Sequence, residues 1–179
     1  MKRILIALVA LLSFISCEKE SFVLWQLPSQ IDSIGNSYVV QTANGKVIVM
    51  GGGFEAEKDD LRGFIDALGG KVDAWIISHP HDDHITAIIA LLENPKGLKI
   101  DKIYHSRFPD VLIDAESEKT AEITRKFYSL LDNATDIEVV DCHCGDDFEI
   151  DGVNFKILSE KNPEMANRNP YNNSSMAYK

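Results

Sequence analysis

Basic residues are scarce in this sequence: 18 Lys and Arg stand against 28 Asp and Glu, for a formal net charge of −10. A surface that grips nucleic-acid backbone needs cations to neutralise phosphates, so sequence-specific nucleic-acid binding is not expected. The deficit does not exclude a metal-dependent enzyme with anionic substrates, because bound cations invert the local charge of a pocket. Cysteine is also sparse, three in 179 residues. Apart from Cys17 there are only Cys142 and Cys144, which flank His143 and are poorly placed for an ordinary disulfide. A metal clip there would need three or four converging ligands and none is evident nearby, so the pair reads as edge or turn residues without a functional role. The chain has no internal repeat and no dividing linker. Gly51, Gly52 and Gly53 lack the G-x-G-x-x-G spacing of a dinucleotide fingerprint. What is present, 45% hydrophobic and 26% charged residues, describes one globular domain with a sizeable core.

The first segment is set apart from that domain. Lys2 and Arg3 form a positive start, Ile4 to Leu12 a short apolar run, and Phe14-Ile15-Ser16-Cys17 closes it. The run is well short of the roughly 20 residues that span a bilayer as a helix, and reads as a secretion signal. Its last four residues resemble the lipobox of bacterial lipoprotein signal peptides. That resemblance implies that residues 1–17 are a signal peptide and that Cys17 carries lipid. Residues 18–29 then form a tether and first strand. The expected location is periplasmic, or anchored to the outer membrane, with the bacterial membrane as a partner.

Strands are expected at Phe22–Leu27, Ser37–Thr42 and Val47–Met50, with Asn44-Gly45 as a two-residue hairpin signal. Leu61, Phe64, Ile65 and Leu68 fall at helical spacing within Asp59–Leu68. Val72–Ser78 is almost unbroken in apolar character, as suits a central strand covered on both faces. Ile85–Leu92 reads as a helix, Ile100–His105 as a strand and Glu116–Leu131 as a long helix. Ile137–Val140, Phe148–Ile150 and Val153–Leu158 are short strands, the last two joined at Asp151-Gly152. Glu160–Ser174 is polar with little to bury, and Ser175–Tyr178 hints at another strand. The succession describes a mixed α/β sandwich, not a doubly wound sheet.

The chemistry concentrates in His79-Pro80-His81-Asp82-Asp83-His84, which holds three of the five histidines in the chain. His79 and His81 lie two apart in extended chain, so both rings can face one side. Pro80 keeps His79 extended. Asp83 and His84 fall where the chain turns into the next helix, directed back to the same hollow. Imidazole and carboxylate suit zinc, and also iron or manganese. A helix cap accounts for one Asp but not for three histidines at this spacing.

Ser78-His79-Pro80-His81-Asp82-Asp83-His84 resembles the His-x-His-x-Asp-His motif of the metallo-β-lactamase fold superfamily. The resemblance implies a four-layer αββα sandwich with mainly its N-terminal half in this chain. It implies His79 and His81 on one zinc, Asp83 and His84 on a second, and Ser78 as a supporting residue. Water held between such cations becomes a nucleophile near neutral pH, and Asp83, the catalytic residue, orients it. Asn172-Asn173-Ser174-Ser175-Met176 resembles the branch related to the extracellular hydrolase domain of DNA-uptake channel proteins, with Asn173 in the supporting set. The two matches span roughly residues 30 to 179, the third segment of the chain.

Two departures bear on activity. Where the family carries Asp-x-Gly after a strand, this chain has Gly51 following Met50. Loss of such a support costs about 10–100-fold in metal affinity or activity, so a looser loop is expected. The family's bridging Asp and later His ligands do not precede Lys179, and His143 has no spacing that links it to the loop. Truncation is expected, with an exposed apolar sheet face that an oligomer or partner would cover. The expected function is an exported hydrolase of small-molecule or phosphodiester substrates, cleaving an ester, phosphodiester or amide, impaired or incomplete in this chain. The alternative is a non-catalytic surface or interaction module with a degenerate fold.

Overall fold

A computed structural model of the protein describes residues 22–179. The leader, Cys17 and the start of the tether lie outside the described residues.

Three strands open the fold: β1 (Phe22–Gln26), β2 (Ser37–Thr42) and β3 (Val47–Gly51). They pair antiparallel in sequence order. The turn at Asn44-Gly45 is one residue longer than expected. Thr42 and Lys46 close it by Thr42 N–H to Lys46 O at 2.9 Å, and Gly45 alone takes a positive φ, 83°. This is a three-residue hairpin with glycine in the left-handed position. At Asp151-Gly152 both residues have positive φ, 50° and 80°, and the expected two-residue turn forms.

Two of the expected strands each divide in two. Val72–Ser78 becomes β4 (Lys71–Val72) and β5 (Ala74–Ile77), and Ile100–His105 becomes β6 (Lys99–Ile100) and β7 (Lys102–His105). The breaks fall at Asp73 and Asp101. Asp73 turns its carboxylate to the Val47 amide at 3.0 Å and to Lys46 and Lys71 at 2.9 and 3.0 Å. β4 and β6 then pair separately, while β5 and β7 enter the main sheet. With β8 (Glu138–Asp141) that sheet runs β1-β2-β3-β5-β7-β8, parallel from β3 onward.

Helices α1 (Lys58–Ala67), α2 (Asp82–Glu93) and α4 (Glu118–Asp132), with the single turn α3 (Asp110–Ile113), supply the cover for one face. Leu61 and Ile65 of α1, Ile85 and Ile88 of α2 and Phe127 and Leu131 of α4 pack with Val49, Trp75, Ile77 and Ile103 of the strands. Each such fully buried side chain contributes about 1.5–3 kcal/mol. The opposite face, with Val40, Ile48, Ile76 and Tyr104, packs against β9 (Asp147–Ile150), β10 (Val153–Ser159) and β11 (Ala177–Tyr178) through Phe155, Ile157 and Met176. The result is three layers, α/β/β. The bare apolar face expected on the main sheet is therefore not found at its central strands. β9–β11 cover it, and the aromatic stack Tyr104–Phe148–Phe155 ties the two sheets together.

The polar stretch 160–174 also departs from expectation. Pro170 and Tyr171 are buried in the short helix α5 (Pro170–Asn173), and Tyr171 is fully inaccessible. One aromatic anchor in a run of Asn and Ser was enough to dock it. Of Ser175–Tyr178, only Ala177 and Tyr178 form strand.

Candidate metal centre

β5 is buried on both faces and delivers the chain to Ser78 at its carboxyl end. The chain bends at Ser78 and His79, His81 is the extended N-cap of α2 (φ −71°, ψ 156°), and Asp82 and Asp83 occupy the first turn. Carboxylates there are favoured by the helix dipole. The three imidazoles converge as expected. Ring centroids of His79 and His84 are 4.1 Å apart, those of His79 and His81 4.9 Å.

The nitrogens are sorted. His79 Nε2 faces His81 Nδ1 at 3.1 Å. His84 Nε2 lies 3.5 Å from Asp83 Oδ2. Ser78 Oγ sits between the other nitrogens of the pair, 3.0 Å from His79 Nδ1 and 3.5 Å from His84 Nδ1. Burial, then the neighbouring His84 and His81, lowers the His79 pKa to about 3, against a hydrogen bond with Asn172 that raises it. Burial likewise lowers that of His84, partly opposed by Asp83. Both rings are therefore neutral near pH 7, with lone pairs free to ligate.

Whether these residues fit a metal can be tested on their spacing. Two nitrogens on one tetrahedral zinc, each at about 2.0–2.1 Å, stand about 3.3–3.4 Å apart. The His79–His81 pair meets that spacing to within a few tenths of an ångström, and the Asp83–His84 pair is close to it. The donors fit as two pairs. Among the described residues, no group of three or more His, Cys, Asp or Glu is placed to hold one ion. His143 is turned elsewhere, to Glu160 at 2.8 Å. Cys142 is buried and Cys144 exposed, both free thiols, and burial pushes the Cys142 thiol up to about 11.

The supports differ from those anticipated. Gly51 has φ 72°, and a Cβ built on it would lie 2.2 Å from the Asn36 carbonyl oxygen, so no side chain fits in this backbone. The Trp75 indole donates to the Gly51 carbonyl, and Asn36 Nδ2 lies 3.4 Å from His84 Nε2. On the other side the Tyr171 ring packs tilted by 37° against His81, 5.0 Å between centroids, and bonds Thr124 at 2.8 Å, and the Met176 amide donates to the Ser78 carbonyl at 2.7 Å. Asn173 donates to the Arg168 carbonyl; the contact with His79 belongs to its neighbour Asn172. Glu116 approaches His81 Nε2 at 3.5 Å. Further back, Glu57 accepts from the Gln30 and Phe54 amides, both at 2.9 Å, and from Ser29 Oγ at 2.8 Å. Burial opposes its ionisation, but these bonds outweigh burial and hold the carboxyl below the usual range. Ser78, Asn172 and Met176, through their motifs, had drawn notice in the sequence; Asn36, Glu57, Glu116 and Tyr171 carried no local signal.

Fold and site together define a mixed α/β sandwich with a histidine–carboxylate loop at the carboxyl end of its central parallel strand. A family model described as the Metallo-beta-lactamase superfamily matches residues 31–150, well over half of the chain. The chain belongs to that superfamily, whose members are metal-dependent hydrolases. Among solved structures, the metallo-beta-lactamase fold protein YhfI from Bacillus subtilis is similar with a TM-score of 0.54 and 14% identity, over 89% of this chain and 56% of that one. ETHE1 from Myxococcus xanthus gives 0.50 and 17%, over 88% and 53%. A flavo di-iron protein from Thermotoga maritima gives 0.52 and 16%, over 90% and 40%. At these identities the likeness shows the fold, and the chain spans about half the length of the solved structures it matches. No curated protein matches this chain.

Proposed function

We propose that the chain carries the metal loop of an exported hydrolase, in which His79 and His81 serve one metal ion and Asp83 and His84 a second. The observation that carries this reading is the 3.1 Å approach of His79 Nε2 to His81 Nδ1, between a buried and a half-buried imidazole. Zinc suits the donors best, and iron or manganese is compatible with them. When bound, such ions polarise an ester, phosphodiester or amide and lower the pKa of water. The chain's own residues do the placing. Ser78 orients His79 and His84 through their Nδ1 atoms, Tyr171 walls off His81, and Asp83 accepts a hydrogen bond from the attacking water. With two donors for each ion, affinity is expected to be weaker than at a site with three protein ligands.

The similarity of Asn172-Asn173-Ser174-Ser175 to the DNA-uptake branch favours a phosphodiester substrate, and the leader favours a lipid anchor on Cys17. Among the described residues no helix is long and apolar enough to cross a membrane. Calorimetric titration with zinc and then manganese tests the metal assignment. Saturable uptake of two ions is expected in the wild type and of fewer in His81→Ala, with little cleavage of a chromogenic phosphodiester by either. An uptake whose stoichiometry and affinity are unchanged in His81→Ala would overturn the assignment. Labelling with radioactive palmitate in cells, present in the wild type and absent in Cys17→Ala, tests the anchor.

A further inference from the structure

Between α3 and α4 the residues from Asp114 to Lys119 are exposed, with one exception. Glu116 is half-buried, its side chain 17% accessible, and its Oε1 lies 3.5 Å from Nε2 of His81. The backbone aims it there. The Glu116 amide donates to the Ile113 carbonyl at 3.2 Å, and the next residue, Ser117, caps α4 through the Thr120 amide. A carboxylate that could have pointed to water is held against a ring of the metal loop.

We propose that Glu116 is a positioning residue, which holds the His81 proton on Nε2 and so leaves the Nδ1 lone pair facing His79. The inference rests on the metal reading of residues 79–84. Two proton arrangements fit the contacts of this loop. In one, His79 Nε2–H donates to His81 Nδ1, and His81 carries its proton on Nε2, 3.5 Å from Glu116 Oε1 and so close to the carboxylate without a formed hydrogen bond. In the other, His81 Nδ1–H donates to His79 Nε2, His79 Nδ1–H donates to Ser78 Oγ, and a bare Nε2 lone pair faces the carboxylate. The distances His79–His81 and His79–Ser78, 3.1 and 3.0 Å, serve both arrangements. Glu116 distinguishes them, because a carboxylate attracts an N–H and repels a lone pair, and both side chains are largely withdrawn from water. Only the first arrangement presents His81 Nδ1 as a ready donor atom; His79 ligates through Nε2 once its own proton moves to Nδ1, 3.0 Å from Ser78 Oγ. Tyr171, packed against the same ring, limits its rotation but is indifferent to the position of the proton.

Long-range proton–nitrogen NMR of the metal-free full chain, at about pH 8 where an ordinary imidazole is neutral, reads the tautomer directly. The wild type should show His81 protonated on Nε2. Glu116→Gln is isosteric, and its amide can accept or donate, so it should show both tautomers, as should Glu116→Ala. A wild-type His81 protonated on Nδ1, or variants whose His81 signals match the wild type, would overturn the proposal. Zinc titration supplies the second readout, with affinity about 10–100-fold weaker in both variants; equal affinity would also overturn it. A wild type that takes up no zinc contradicts the metal reading, and the tautomer spectra then still decide the role of Glu116.

Discussion

His79 and His84 at the mouth of β5, and His105 at the end of the adjacent β7, are buried alike, at 7%, 6% and 3% exposure. Burial lowers the basicity of all three, to about 3 for His79 and about 4 for His105. Their surroundings separate them. The first two belong to a cluster in which the ring nitrogens meet other donors and acceptors: Ser78, His81, Asp83 and Asn36. His105 stands among Phe127 and Tyr128, and its Nδ1 has no hydrogen-bond partner among the described residues. A depressed pKa therefore marks burial, whereas convergence of donor atoms marks a site.

The largest effect that would break this contrast is on metal uptake. His81→Ala should weaken zinc binding by more than the roughly 100-fold that loss of a supporting contact costs, while His105→Leu leaves it unchanged, both read by titration. Next is the wall of the loop. Tyr171→Ala removes a fully buried aromatic and should cost about 3–5 kcal/mol in urea unfolding; Tyr171→Phe loses only the bond to Thr124, about 0.5–1.5 kcal/mol.

The third effect is acid sensitivity. Unfolded, His105 returns to a pKa near 6.5; folded, burial and the nearby Arg107 and Lys161 hold it at about 4, against Asp141 and Asp132. Between those values the unfolded chain binds more protons, so stability falls as pH drops from about 6.5 to 4. At 1.36 kcal/mol per unit the loss is on the order of 3 kcal/mol. His105→Leu should flatten the fall in urea midpoint between pH 7 and pH 4.5; an unchanged slope would count against it. The smallest effect is that of Ser78→Ala, about tenfold in zinc affinity with stability within about 1 kcal/mol of the wild type.

The parts of this molecule that could be read from sequence are those whose cause is local. The buried run Ala74–Ile77, the Asp151-Gly152 turn, the amphipathic stripe of α4 and the His79–His84 loop each announce themselves within a few residues. The breaks at Asp73 and Asp101 do not, because Asp73 is drawn aside by Val47 and Lys46 of another strand. The supports of the loop are hidden for the same reason. Asn36, Glu116 and Tyr171 reach it from three separate segments, and nothing in their own neighbourhoods distinguishes them from surface Asn, Glu and Tyr. At Gly51 a missing carboxylate was expected to loosen the loop, but a residue with any Cβ would collide with Asn36.

Thermal unfolding of the full chain with and without added zinc tests the central claim most directly, since a ion bound only by the folded state raises the midpoint. A rise in the wild type that shrinks in His81→Ala and persists in full in His105→Leu is the expected result. No rise in the wild type, or the same rise in His81→Ala, would contradict the account.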